Sequence, residues 1–129
     1  MTIVEEYLDL TKKWKLEYGD KTLVLMQVGS FFESYGLLDK NGNIYGSDIV
    51  NFATINDMAI SRKNICVGNN KVVMAGFGLA QIEKYIKKLQ ENGYTIVVYT
   101  QDTQSKNTTR SLNMIFSRSE EHTSELQSP

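Results

Sequence analysis

Two short apolar runs constrain what this chain can fold into: TLVLMQV at residues 22–28 and TIVVYT at residues 95–100. Near-continuous apolar runs of this length are typical of strands that protein covers on both faces. A sheet covered in this way needs helices on both of its sides, so the runs predict a layered α/β domain. The chain has 129 residues, which is enough for one domain with a hydrophobic core.

Helices and a hairpin are predicted around these runs from apolar spacing and turn residues. Thr2 and Glu5 form a capping-box pattern before a helix that Gly19 ends, and Ser30 and Glu33 form another before a short helix. The predicted helices cover residues 3–18, a short segment from Glu33, a segment within 47–57, and 79–92; the predicted extended segments are 22–28, a hairpin within 58–78 that turns at 68–70, 95–100, and a strand from 111. This order predicts a three-layer α/β domain, with a mixed β-sheet flanked by helices.

The final segment, RSEEHTSELQSP at 118–129, is polar apart from Leu126 and shows no periodicity. It is similar to the in-frame translation of a common sequencing-adapter oligonucleotide. We therefore predict a C-terminally truncated domain at 1–117, followed by an artefactual, disordered tail at 118–129. The tail contains Arg118 and three glutamates, so its removal changes the formal net charge from −1 to +1.

Composition excludes several classes of protein. No apolar run approaches the length of a membrane-spanning helix, and the N-terminus lacks the apolar core of a signal peptide. The single cysteine, Cys66, cannot form an internal disulfide and indicates an intracellular, reducing compartment; in an apolar strand it is expected to be buried. The only histidine, His122, lies in the tail, and no carboxylates cluster near Cys66 in the sequence. We therefore predict no catalytic residues, no metal site and no enzyme activity.

The pentapeptide Gly29-Ser30-Phe31-Phe32-Glu33 stands at the end of the first apolar run. These residues alone leave two interpretations open. Phe31 and Phe32 can both pack while Glu33 caps a helix, or one phenylalanine is displayed for a function. Capping and display are compatible, because a capped backbone can present Phe31.

The pentapeptide resembles the Gly-Asp-Phe-Tyr-Glu motif of the mismatch-recognition domain of the MutS family. Further segments resemble that domain in the same order, so that the resemblance covers residues 3–117: YLDLTKKW, LVLMQVGSFFE, AISRKN, VVMAGFGLAQIEKYIKKLQENGYTIVVYTQ and MIFS. The chain departs from the family at Ser30, which replaces an aspartate, at 76–78, which lacks a proline, and at DKNGNIYGSD, which resembles an insertion. The insertion, together with a composition low in proline and rich in asparagine, lysine and isoleucine, suggests a divergent viral or mitochondrial branch.

The resemblance implies that the chain binds double-stranded DNA with mismatches or small loops, in DNA mismatch repair. Phe31 would enter the minor groove and stack on a mispaired base, because unstacking costs least where pairing is defective. Glu33 would contact the base, either as an acceptor or, with a pKa raised by burial and nearby phosphates, as a protonated donor. Phe32 would pack. The matching glutamine, Gln101, has no role that follows from the sequence.

Phosphate contacts require basic side chains. The candidates for DNA binding are Arg62, Lys63, Lys71 and Arg110, together with Lys106 in the polar loop. The lysines at 84, 87 and 88 are predicted to form a solvent-exposed helix face.

The MutS family acts as a dimeric ATPase clamp, in which ATP and Mg²⁺ bind another domain. This chain has no Gly-x-x-x-x-Gly-Lys-Ser/Thr loop, so we expect no cofactor here and dimerisation through domains that it lacks. Two alternatives remain: a nucleic-acid-binding module without mismatch preference, and a protein-interaction domain that has lost its DNA contacts.

Overall fold

A mixed β-sheet forms the centre of the computed structural model, which describes residues 2–102 and 109–118. The helices are α1 (Ile3–Tyr18), α2 (Ile49–Ile55) and α3 (Ile82–Glu91), and a 3₁₀ turn at Leu79–Gln81 precedes α3; the strands are β1 (Thr22–Val28), β2 (Phe31–Leu38), β3 (Ile44–Tyr45), β4 (Ser61–Val67), β5 (Asn70–Gly78), β6 (Thr95–Gln101) and β7 (Arg110–Phe116). None of the helices among the described residues is long and apolar enough to cross a membrane.

The strand order is β4-β5-β2-β1-β6-β7, with β3 added beside β2. The central pair β1 and β6 is parallel, and the remaining pairs of the described sheet are antiparallel. The two apolar runs of the sequence therefore lie side by side in the middle of the sheet, where both of their faces are covered. This arrangement confirms the predicted mixed sheet.

Two apolar cores, one on each face of the sheet, make the domain three-layered. On one face, Val4 and Tyr7 of α1 pack against Val24, Met26 and Val97 of the central strands. On the other face, α2 and α3 bury Phe52, Ile86 and Leu89, and this core includes Leu23, Leu25 and Phe32 from the strands. Successive strand side chains point to opposite faces, which is how one apolar run feeds both cores.

Helix α1 begins and ends where the sequence predicts. The Thr2 hydroxyl accepts from the Glu5 amide at 3.2 Å, and the Thr2 amide donates to Glu5 Oε1 at 2.8 Å, so the capping box is complete. Gly19 ends the helix with a φ of 101°, a conformation that costs glycine little. Local sequence signals are sufficient for this element.

The prediction of a helix from Glu33 is wrong. Residues 31–38 form strand β2, which pairs with β5 along its whole length and with the end of β1. Ser30 consequently lies in a hairpin turn and does not cap a helix. The Ser-x-x-Glu pattern is a local signal, and pairing with two neighbouring strands outweighs it here.

Cys66 is exposed, so the prediction that it is buried is wrong. It lies on β4, an edge strand of the sheet, opposite the exposed Lys71. Of the proposed tail, Arg118 is exposed, while residues 119–129, with His122, lie outside the described residues. The boundary at residue 117 therefore stays a prediction.

Candidate functional site

A tight turn at one end of the sheet displays Phe31. Val28 pairs with Phe31, so that only Gly29 and Ser30 connect β1 to β2. Gly29 has a φ of 61° and Ser30 has a negative φ, as expected for a type II′ hairpin turn with glycine at its first position. Phe31 is 52% exposed, whereas the neighbouring Phe32 is 5% exposed.

The other phenylalanines of the chain are covered by protein. Phe32, Phe52 and Phe77 are buried in the core beneath α2 and α3, and Phe116 is half-buried against the same core. Exposing an aromatic ring forgoes the stabilisation that burial would provide. Phe31 is therefore the one phenylalanine that the fold leaves available for contact with another molecule.

Two glutamines and an arginine hold the turn, and we call these three residues, Gln27, Gln101 and Arg110, the turn clamp. Gln101 Oε1 accepts from the Gly29 amide at 2.7 Å, and the Gln101 amide donates to Gln27 Oε1 at 2.8 Å. Gln27 Nε2 donates to the Gly29 carbonyl at 3.1 Å. Arg110 Nε donates to the Gln27 carbonyl at 2.6 Å. The turn is thus fixed to the ends of β6 and β7.

The turn clamp was missed in the sequence, apart from Arg110 as a candidate phosphate contact. Its sequence signal is weak: Gln27 and Gln101 are polar residues near the ends of two apolar strands. Their contact follows from the parallel pairing of β1 with β6, which brings the ends of two distant segments together. The structure assigns Gln101 a structural role at the base of the displayed ring.

Glu33 is buried, with 8% of its surface exposed. The Tyr35 hydroxyl donates a hydrogen bond to Glu33 Oε1. Opposite Glu33 on β5 stands Gly76, where an added Cβ would lie 2.8 Å from the Phe32 carbonyl oxygen and 3.1 Å from Glu33 Cγ. The absence of a side chain at Gly76 therefore makes room for the glutamate.

Burial controls the protonation of the tyrosines behind this site. Burial raises the pKa of Tyr35 far above its usual range, and the hydrogen bond and negative charge of Glu33 raise it further, while Arg110 acts in the opposite direction. Burial also raises the pKa of Tyr7 to about 12. Both phenols keep their protons at neutral pH, so the Tyr35 hydroxyl remains a hydrogen-bond donor to Glu33.

Phe31 and Glu33 share an open cavity of about 230 Å³. Its remaining lining comes from the start of β4, the end of β5 and the residue Ala59: Ala59, Ser61, Met74, Ala75 and Gly76. The structure thus brings together the two motif residues that the sequence predicted, an exposed ring and a buried carboxylate on one cavity wall.

The predicted basic residues do not all join this cavity. Arg62 and Lys71, with Lys40 and Asp39, line a second cavity of about 280 Å³. The pairing of Arg62 with Val73 and of Lys71 with Leu38 places both on the sheet face covered by α2 and α3.

Glu33 belongs to the other face of the sheet, since it pairs with Gly76 and lies two residues from Tyr35, which packs in the α1 core. Of the remaining candidates, Lys63 is half-buried on β4, where strand pairing is irregular, and Arg110 lies in the turn clamp. Lys106 lies outside the described residues.

Comparison with known proteins identifies the family. The model of MutS domain I matches residues 3–124, which include every helix and strand described above and extend beyond the boundary predicted at residue 117. A search of curated proteins finds no match. Because the family model covers most of the chain, and because the resemblance of its motifs had predicted the same family, the chain belongs to the MutS domain I family, the mismatch-recognition domain of MutS proteins.

Proposed function

We propose that this domain recognises mispaired or locally unstacked positions in double-stranded DNA, with Phe31 as the wedge and Glu33 as the base contact. One observation carries the proposal: an exposed phenylalanine on a clamped two-residue turn shares a cavity with a buried carboxylate. Membership of the MutS domain I family supports the same function.

A wedge needs an aromatic ring that is both exposed and firmly held. Phe31 meets the first requirement through its exposure and the second through the hydrogen bonds of the turn clamp. Inserting a ring between bases costs a few kcal/mol of unstacking, and the cost is smallest where pairing is already defective. The ring therefore senses the stability of a base pair and not its sequence.

The test of this function compares two labelled duplexes that differ only by one mismatch or one unpaired nucleotide. We expect the chain to bind the defective duplex more tightly in a fluorescence-anisotropy titration at low salt. Equal, salt-sensitive affinity for both duplexes would instead support the nucleic-acid-binding module without mismatch preference. Absence of binding to either duplex would favour a protein-interaction domain.

Glu33 can contact a base in two ways, and substitutions separate them. Glu33→Ala is expected to change the ratio of mismatched to matched affinity, because it removes the carboxylate from the cavity beside Phe31. If Glu33 donates as a protonated acid, Glu33→Gln should retain affinity, because the amide keeps a hydrogen-bond donor. If Glu33 accepts from a base N–H, Glu33→Gln loses the charged acceptor and should bind more weakly.

The ratio is measured only on samples whose far-ultraviolet circular dichroism shows the parent fold. An unchanged ratio in folded Glu33→Ala would contradict the base contact, whatever the effect of the substitution on stability.

The cavity lined by Arg62 and Lys71 supports a separate role in binding phosphates. Both side chains are exposed, and among the described residues neither forms a salt bridge. Each phosphate contact releases counterions, so Arg62→Ala and Lys71→Ala are each expected to reduce the slope of log K against log salt by about 1. Since phosphates carry no information about base pairing, both variants should keep the parental ratio of mismatched to matched affinity.

Lys87→Ala is the matched control, because Lys87 is also an exposed cation, on α3. If Lys87→Ala lowers the salt slope as much as Arg62→Ala and Lys71→Ala do, the effect reflects net charge alone. The assignment of the second cavity to phosphate contact would then be wrong.

A further inference from the structure

We propose that Tyr35 is a positioning residue for Glu33: its hydroxyl orients the carboxylate toward the cavity and thereby sets how strongly the domain discriminates mispaired from paired DNA. The inference rests on the proposed base contact of Glu33 and adds a second residue on which that contact depends. Tyr35 does not line the cavity, so its effect would be exerted through Glu33.

The geometry of strand β2 brings the two side chains together. Glu33 and Tyr35 are two residues apart, so they project from the same face of the sheet. Tyr35 Oη donates to Glu33 Oε1, and among the described residues it is the sole side chain that forms a hydrogen bond with this carboxylate. A phenol has one proton to donate. Because Tyr35 donates this proton to Glu33 Oε1, Glu33 Oε2 is the carboxylate oxygen that remains for contact with a base.

The ring of Tyr35 is itself held in place. It is 2% exposed and meets the Tyr7 ring edge to face, with the centroids 5.4 Å apart. The Ser47 hydroxyl donates to the Tyr35 carbonyl and fixes the backbone at the same residue. A donor anchored in this way can dictate the orientation of its acceptor, since the donor cannot follow a rotation of the glutamate.

Orientation matters because glutamate has rotamer freedom to lose. Fixing a glutamate side chain costs conformational entropy, because several rotamers are lost. In the structure, the hydrogen bond from Tyr35 offsets this entropy loss when the domain folds, and the missing side chain at Gly76 leaves space for the observed rotamer of Glu33. DNA would then meet a carboxylate that is already oriented.

The test compares Tyr35→Phe with Tyr7→Phe. Both variants keep an aromatic ring and delete one buried hydroxyl, but the Tyr7 hydroxyl bonds to Ser34 at 2.7 Å and has no hydrogen bond with Glu33. We expect Tyr35→Phe to reduce the ratio of mismatched to matched affinity by about three- to tenfold, the range that one hydrogen bond contributes. Tyr7→Phe should lower the melting temperature and leave the ratio at the value of the parent.

A double-mutant cycle distinguishes action through Glu33 from a structural effect. In the Glu33→Ala background, Tyr35→Phe should produce no further change in the ratio. Partial unfolding lowers the affinity for both duplexes equally, so the ratio stays interpretable on a destabilised sample, with circular dichroism as the check of fold. A parental ratio in Tyr35→Phe, or an equal loss in the presence and absence of Glu33, would overturn the inference.

The cycle also separates this inference from the proposed function. If Glu33→Ala changes the ratio but Tyr35→Phe does not, Glu33 contacts the base without help from Tyr35, and only the positioning role is wrong. If Glu33→Ala leaves the ratio unchanged, the base contact fails, and the role of Tyr35 fails with it.

Discussion

Phe31→Ala is expected to abolish the preference for mispaired DNA while weak binding to paired DNA persists. The ring is 52% exposed at the turn, so its removal deletes a stacking surface without opening a cavity in either core. Base–aromatic stacking is worth about 1–3 kcal/mol, which corresponds to roughly a 5- to 150-fold change in affinity. Titration of Phe31→Ala with matched and mismatched duplexes measures the loss directly.

Leu16→Ala provides the matched control for an exposed apolar side chain. Leu16 is 90% exposed near the end of α1, which leads into the start of β1, whereas Phe31 follows the end of β1. The control should discriminate mismatches as the parent does. Discrimination that survives in Phe31→Ala at the level of the parent would show that Phe31 is not the wedge.

Phe32→Ala is expected to lower the stability of the domain strongly, whereas Phe31→Ala affects binding. Phe32 is 5% exposed, and its ring centroid lies 5.9 Å from that of Phe77 in the core beneath α2 and α3. Truncation of a buried phenylalanine leaves a cavity and typically costs about 3–5 kcal/mol of unfolding free energy. Urea denaturation followed by circular dichroism measures this change.

Phe31→Ala serves as the comparison for Phe32→Ala in the same denaturation experiment, because its half-exposed ring fills no core space. A loss below about 1 kcal/mol in Phe32→Ala would mean that Phe32 is not a core residue of the kind described here. We therefore expect substitution of Phe31 to change binding to mispaired DNA, and substitution of Phe32 to change the free energy of unfolding.

Elements specified by local signals could be predicted from the sequence. The apolar runs predict β1 and β6, the Thr2–Glu5 capping box predicts the start of α1, and the clear apolar spacing predicts α3. The alternation of covered strands with helices also predicts the three layers. For β1, β6, α1 and α3, the residues that determine the element lie within it or directly beside it.

Features that depend on distant pairing could not be predicted in this way. The segment from Glu33 carries a helix-capping pattern but becomes a strand because β1 and β5 pair with it. The hydrogen bonds of Gln101 depend on the same parallel pairing of β1 with β6 that builds the centre of the sheet. The family motif predicted Phe31 and Glu33, but the sequence contained no sign that Tyr35 would bond to Glu33.

The basic residues show a further limit of sequence reasoning. Arg62 and Lys63 are adjacent in the chain, and both are candidates for phosphate contact in the sequence. The irregular pairing between Arg62 and Cys66 breaks the simple alternation of β4, and only the register with β5 shows which sheet face Arg62 occupies. A face assignment of this kind requires the partner strand.

The turn clamp also has a consequence for the order in which the chain folds. The β1–β2 hairpin closes through a two-residue turn and is complete early in synthesis, whereas Gln101 and Arg110 emerge from the ribosome much later. Contacts between distant segments form late, because a long loop must close first. In a nascent chain that has not reached β6, the hairpin lacks its hydrogen bonds with Gln101 and Arg110, and an isolated hairpin is only marginally stable. The turn that carries Phe31 thus gains the hydrogen bonds of Gln101 and Arg110 only after β6 and β7 have been synthesised.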